Sequence, residues 1–179
     1  MPPAPDLRTR STARLALTAM GPDDAEQLFA VLSDPRGWWF DPAARHVDLA
    51  RTRAYAERAA ARWPADGLSY WTARDLRTGD VVGLGGAQRH RSGAWNLSYR
   101  VATGQWGRGL ATELAAAGVE AARLADPTSP VVAYVLAANT ASARVAAAVG
   151  LVDRGPRVDA NDGVERHAWS DRPLEPEPG

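Results

Sequence analysis

The fold this sequence predicts is a mixed α+β sheet, mostly antiparallel and of about seven strands. Three observations lead there. Short segments of period-two hydrophobicity recur through the chain, and amphipathic helical segments stand between some of them. Only one strand–helix–strand run has the order of a parallel crossover, which should be right-handed. No linker or repeat divides the 179 residues, so a single domain is expected over residues 7–172. Residues 1–6 hold three prolines, and in 173–179 proline alternates with glutamate, so both read as flexible tails.

The elements follow in order. Leu15, Leu17 and Ala19 alternate with polar or small neighbours and predict a first strand. Asp23, with Glu26 three residues later, forms a capping-box pattern for a helix carrying Ala25, Leu28, Phe29 and Leu32 and stopping at Pro35. An aromatic loop with Trp38, Trp39 and Phe40 leads to a second helix over 47–63, ending before Pro64. Strands over 70–75 and 81–88 form a hairpin. The strand over 94–101 alternates most cleanly: Trp95, Leu97, Tyr99 and Val101 on one face, Asn96, Ser98 and Arg100 on the other. A helix over 110–124 places Leu110, Leu114, Ala117, Gly118 and Ala121 on one stripe. The apolar run 131–136 reads as a strand buried on both faces. A short helix from Thr140 or Ala141 to Val149 ends at Gly150, and strands over 151–158 and 164–170 close the chain.

Composition excludes several functions. The absence of cysteine rules out a disulfide framework, thiolate zinc, iron–sulfur clusters and a cysteine nucleophile. With 21 basic against 21 acidic residues, neither nucleic acid nor an anionic membrane is an expected partner. Every basic residue outside the histidines is Arg, which with the alanine excess reads as genome composition bias. His46, His90 and His167 lack metal-ligand spacing, so no metal is expected. The N-terminus has no apolar h-region and no apolar run approaches ~20 residues, so a cytoplasmic protein is expected.

The sharpest chemical signal is the segment 105–111, Gln-Trp-Gly-Arg-Gly-Leu-Ala, between a strand end and a helix start. Gly107 and Gly109 let the backbone turn so that successive N–H groups face one point, and the helix adds its positive end. Arg108 between them can add a charge-assisted bond to a phosphate. A glycine turn before a surface helix is the alternative. The chain has no Lys to complete a P-loop, and Thr112 stands where a dinucleotide fingerprint needs its third glycine. A second signal is Asn139-Thr140-Ala141-Ser142, with Val149-Gly150-Leu151 after it; N-capping alone explains Asn139.

Together these segments and their order resemble the GNAT superfamily of acyl-CoA N-acyltransferases, in its RimJ/RimL-like branch, over nearly the whole chain. The resemblance implies a sheet with helices on both faces and a βαβ unit carrying the acyl-CoA pyrophosphate loop. The backbone of Trp106, Gly107, Arg108, Gly109, Leu110 and Ala111 would hold the pyrophosphate, and Val101 the pantetheine arm. Asn139 would contact the pantetheine or thioester region, and Ser142 would stand where the family places the proton donor for the CoA thiolate. Where this branch often carries Glu, three residues before the strand tyrosine, the chain has Asn96, which can orient an acceptor or a water but cannot act as a base. Trp38, Trp39 and Phe40 lie in the segment that lines the family's acceptor site; core or lid packing is the alternative for them.

The expected reaction is acetyl transfer from acetyl-CoA to a small-molecule or peptide amine, with Ser142, Asn139 and Asn96 as catalytic candidates. Lacking a carboxylate base at Asn96, the site suits low-pKa amines such as an N-terminal α-amine or an amino-acid-like molecule. A monomer or homodimer is expected. The rival reading is a non-catalytic acyl-CoA sensor or interaction domain on the same fold. His90, in an Arg-His-Arg turn read as a solvated loop, and His167, Glu165 and Asp41 are weaker candidates.

Overall fold

The computed structural model describes residues 5–175. Its sheet has eight strands: β1 (Thr9–Ser11), β2 (Leu15–Ala19), β3 (Tyr70–Asp75), β4 (Val81–Arg89), β5 (Trp95–Val101), β6 (Val131–Val135), β7 (Val152–Val158) and β8 (Glu165–Ser170). They lie in the order β1-β2-β3-β4-β5-β6-β8-β7. Four α-helices accompany it: α1 (Ala25–Leu32), α2 (Leu49–Asp66), α3 (Leu110–Ala125) and α4 (Thr140–Ala148). All neighbouring strands run antiparallel except β5 and β6, which the α3 crossover makes parallel. Among the described residues no helix is long and apolar enough to cross a membrane.

The two faces of the sheet are covered by different helices. Leu28, Val31 and Leu32 of α1 and Ala56 and Ala59 of α2 pack on Tyr70 and Leu84. The opposite face carries the larger core, in which Trp71, Trp95 and Leu97 meet Leu114, Ala117 and Ala121 of α3 and Ala146 of α4. α3 approaches β4 so closely that a Cβ on Gly118 would stand 2.7 Å from the Leu97 side chain and 3.2 Å from the Gly86 backbone. A side chain there would push Leu97 aside and crowd the β4 backbone.

Four expectations are corrected. The eighth strand is β1, three half-exposed edge residues too short to show a period, held by the β1–β2 register and by an Arg10–Glu120 ion pair of 2.9 Å. Asp24, not Asp23, organises the start of α1: its Oδ2 accepts the Gly21 N–H at 3.1 Å and the Thr72 hydroxyl at 2.8 Å. α2 runs through Pro64 to Asp66, the proline taking one N–H out of the helix ladder without ending it; Gly67, at φ 74°, then stops the helix. His90 is no solvated loop residue: its ring is buried, with Nε2 2.8 Å from Asp159 and the Tyr134 ring at 4.7 Å.

Of the stretches expected as tails, residues 1–4 and 176–179 lie outside the described residues. Leu174 packs on Ala94, Val132 and Ala168.

Candidate active site

The site begins where β5 and β6 separate. Their ladder contains only Trp95↔Val131 and Asn96↔Val132. Beyond it the strands part, and a cleft of about 490 Å³ opens between Leu97–Val101 on one side and Ala133–Leu136 on the other. The Ala102 N–H donates to the Val82 carbonyl at 2.9 Å. Antiparallel alternation therefore turns the N–H and C=O of Val101, and of Tyr99 two residues earlier, away from β4 and toward this gap. The Val101 carbonyl accepts the Trp106 indole N–H at 3.0 Å.

At one end of the cleft lies the loop before α3. Gly107 and Gly109 both take φ of 75°, the left-handed region that glycine reaches without strain. A Cβ at Gly107 would meet nothing within 4 Å. The loop thus presents open space in front of the N–H groups that begin a 16-residue helix, a fit for a phosphate. It is braced from outside. Arg14 donates Nη1 to the Arg108 carbonyl at 2.6 Å, while its Nε and its backbone N–H reach the two Glu113 oxygens at 2.7 Å each. Glu113 also accepts the Thr12 hydroxyl at 2.5 Å. Burial alone would raise the Glu113 pKa, but the bonds from Thr12 and Arg14 outweigh it and hold the carboxyl below its ordinary value.

The start of α4 forms the facing wall. Asn139 caps the helix by accepting the Ser142 N–H at 3.1 Å, and both residues line the cleft. The Ser142 hydroxyl bonds to the Tyr99 hydroxyl at 3.0 Å, and the Tyr99 hydroxyl bonds to the Ser142 carbonyl at 2.9 Å. Burial pushes the Tyr99 phenol up to about 12.

The other end opens on the α1/α2 face, where Trp39, Phe40 and Asp41 line the mouth together with Ser98, Arg100 and Arg166. Trp39 stacks edge-on against Phe40 at 5.7 Å. Of the residues expected at the site, Val101, Trp106, Gly107, Gly109, Leu110, Ala111, Asn139, Ser142, Trp39 and Phe40 line this one cleft.

Arg108, Trp38 and Asn96 stand outside the lining. The Arg108 side chain turns back to Gln105. The Trp38 indole donates to the Leu32 carbonyl at 2.6 Å and its ring carries the Arg100 guanidinium at 3.5 Å. Asn96 donates its amide to the Tyr70 hydroxyl at 3.1 Å. His167 pairs with Asp153 at 2.8 Å, and neither it nor Glu165 lines the cleft. Sequence reasoning assigned no part to Tyr99, Arg100 or Glu113, and left Asp41 a weak candidate. The first two were visible only as alternating strand residues, whereas Glu113 carried a signal in its place on the first turn after the glycine loop.

One cleft thus joins a helix-borne loop suited to a phosphate to an aromatic mouth across a parted strand pair, the form of a ligand-binding enzyme site. Residues 14–152 match the acetyltransferase (GNAT) domain family, and the chain belongs to it. A Bordetella pertussis protein assigned to the GnaT acetyltransferase family superposes with TM-score 0.76 at 22% identity, over 92% of this chain and 99% of that one. An acetyltransferase from Agrobacterium tumefaciens str. C58 gives 0.74 at 25% identity, over 90% and 92%. The ribosomal L7/L12 α-N-protein acetyltransferase RimL, solved with coenzyme A, gives 0.71 at 14% identity, over 90% and 95%. No curated protein sequence matches the chain significantly. The protein is a GNAT-domain acetyltransferase.

Proposed function

We propose that the chain transfers the acetyl group to a primary amine, either a protein N-terminal α-amine or a small amino-acid-like amine, by direct attack on the thioester. The observation that carries this reading is the single cleft running from the glycine loop, past Ser142, to the Trp39–Phe40 mouth. Acetyl-CoA supplies the activated thioester carbonyl. The backbone from Trp106 to Ala111 holds its pyrophosphate, Val101 offers its N–H to the pantetheine arm, and Asn139 borders the thioester region.

The chain's larger contribution is alignment, which is worth ~7–11 kcal/mol of barrier when two reactants are held in register. The amine nitrogen bonds to the carbonyl carbon, the C–S bond breaks, and the nitrogen's surplus proton goes to solvent, from which Ser142 regains the proton it gives to the thiolate. The Ser142 hydroxyl, backed by Tyr99, stands to protonate the leaving thiolate. A thiol of pKa ~8.5 leaves readily, so this donor is worth the low end of ~10²–10⁴ in rate. Asn96 acts at one remove as a positioning residue: it holds Tyr70, on which Tyr55 stacks at 6.3 Å, in the core cluster against which Trp38 also packs.

The test is thiol release from acetyl-CoA in the presence of a panel of primary amines. Amine-dependent release is expected. A folded protein that binds acetyl-CoA and releases no thiol with any amine is a sensor, not an enzyme.

A further inference from the structure

Arg100 is a half-buried cation with few partners among the described residues. It lies on the β5 face toward α1 and α2 and lines the cleft. One of its five N–H donors reaches protein: Nη1 bonds the Gly37 carbonyl at 2.8 Å. The rest of its support is aromatic, with Trp38 at 3.5 Å and Phe40 at 5.9 Å from the guanidinium carbon. Among the described residues no carboxylate comes within ion-pair distance. The contrast within the same cleft is Arg166, which is bridged to Asp159 at 3.0 Å and Asp162 at 2.7 Å. Burial lowers the Arg100 pKa only to about 10, so it stays charged at neutral pH. A half-buried charge without a counter-ion in contact gains from one, and a stacked guanidinium keeps its edge free for a planar anion.

Asp41 lines the same mouth. Its backbone N–H bonds the Trp38 carbonyl at 3.0 Å, but its carboxylate takes no hydrogen bond and no ion pair among the described residues. It lies near enough to favour the charged form of Arg100 without touching it. At the cleft mouth Arg100 and Asp41 therefore feel each other's charge without an ion pair between them, and Arg166, held by Asp159 and Asp162, feels Asp41 as well.

We propose that the acceptor is a small zwitterionic amine, a free α-amino acid in its simplest form, whose carboxylate sits on the Arg100 edge and whose ammonium is drawn in by Asp41. This rests on the acetyl-transfer reading above and narrows it from amines in general to amines that bring their own carboxylate. The Arg100 fork accepts a carboxylate through two parallel bonds, as a point charge cannot. The stacked Trp38 holds the fork in place before the acceptor arrives. A site built around such a bond rejects the analogue lacking it, because the buried donors are left unpaired.

The experiment compares free α-amino acids with their α-amides and methyl esters in the thiol-release assay. The amides have the less basic nitrogen and react more readily in solution, so a preference for the acid is decisive. The acid should exceed its amide at least tenfold in kcat/KM. Arg100→Gln should collapse that ratio toward one by raising the acid's KM, with Arg100→Lys intermediate. Both variants are checked for a native circular dichroism spectrum, and Arg100→Lys keeps the charge if the neutral variant fails to fold. Equal turnover of acid and amide by the unaltered protein, or an unchanged ratio in a folded Arg100 variant, overturns the proposal. Calorimetric titration of the CoA-saturated protein with alanine and alaninamide reads the same preference without chemistry. Binding of alanine alone with no thiol release sinks the transfer reading and keeps the carboxylate site; equal or absent binding of the two sinks the site.

Discussion

The hydroxyl of Ser142 donates to the phenolic oxygen of Tyr99 across 3.0 Å, so the phenol holds the proposed proton donor in place, and Ser142 must turn its proton from Tyr99 toward the thiolate to act. The phenol in turn donates to the Ser142 carbonyl at 2.9 Å. Because burial raises Tyr99 to about 12, the phenol stays protonated across the working pH range. Ser142→Ala should lower kcat about ten- to a hundredfold with little change in the KM for acetyl-CoA. Tyr99→Phe should fall in the same range, and the double variant should be little worse than either, since the two act as a unit. Steady-state kinetics where chemistry limits the rate would read this, and no limb of the kcat–pH profile below pH 10 should vanish in Tyr99→Phe.

The loop before α3 gives a sharper test at Gly107 than at Gly109, whose added Cβ would meet the Arg14 guanidinium at 3.5 Å. Gly107→Ala carries only the left-handed backbone strain, on the order of 1 kcal/mol. Gly107→Asp adds a negative charge at the proposed phosphate site. Its affinity for coenzyme A, measured by calorimetry, should fall more than tenfold beyond that of the alanine variant, with the melting temperatures of the two alike. Equal affinities would make the loop a turn and nothing more.

Asn96→Ala removes the bond to Tyr70 and leaves the Tyr70 hydroxyl, whose pKa burial raises to about 12, without that partner. A neutral hydrogen bond is worth about 1 kcal/mol, or roughly fivefold in an equilibrium. The acceptor KM should rise by about that factor, kcat should hold, and the pH limbs should not move. A changed limb would show Asn96 to act on the proton itself.

His46 makes the fold acid-sensitive. Its ring is buried, with Nδ1 2.8 Å from the Thr52 hydroxyl and the Tyr55 ring at 5.6 Å, and burial pulls its pKa down to about 4. The unfolded chain binds this proton near pH 6.5 and the folded chain only near 4, so protonation favours unfolding between those values. Stability should be fully present above pH 6.5 and decline toward pH 4, by an amount on the order of 2 kcal/mol. Denaturant titrations at pH 7.5 and 4.5 should show a smaller difference in His46→Gln, even if that variant is weaker overall.

Much of this architecture could be read from spacing. The alternation from Trp95 to Val101 placed its residues on the correct faces, and the glycines at 107 and 109 marked a helix start whose backbone does take the left-handed form. What spacing could not convey was what each face meets. Ser98 and Arg100 looked like ordinary polar strand positions, because nothing in a period of two says that the neighbouring strand pulls away. Tyr99 and Ser142 are 43 residues apart, and their contact depends on how α4 leans on the sheet. The β1 strand was invisible because its three residues are stabilised by pairing and not by burial of their own. Pro64 misled because a proline weakens a helix without forbidding it, and the burial of Trp63 in the core, which local composition does not state, keeps this last turn helical.

The two-rung ladder between β5 and β6 makes the molecule mechanically a pair of plates: β1 to β5 form one, and β6, β8 and β7 the other. Few backbone bonds cross the seam, so the second plate should open at lower free energy than the first and exchange its amide hydrogens sooner. Any molecule lodged in the seam touches both plates at once. Its presence is then registered as slower exchange in β8 and β7, strands that border none of the glycine loop, and the far edge of the sheet becomes a gauge of whether the cleft is filled.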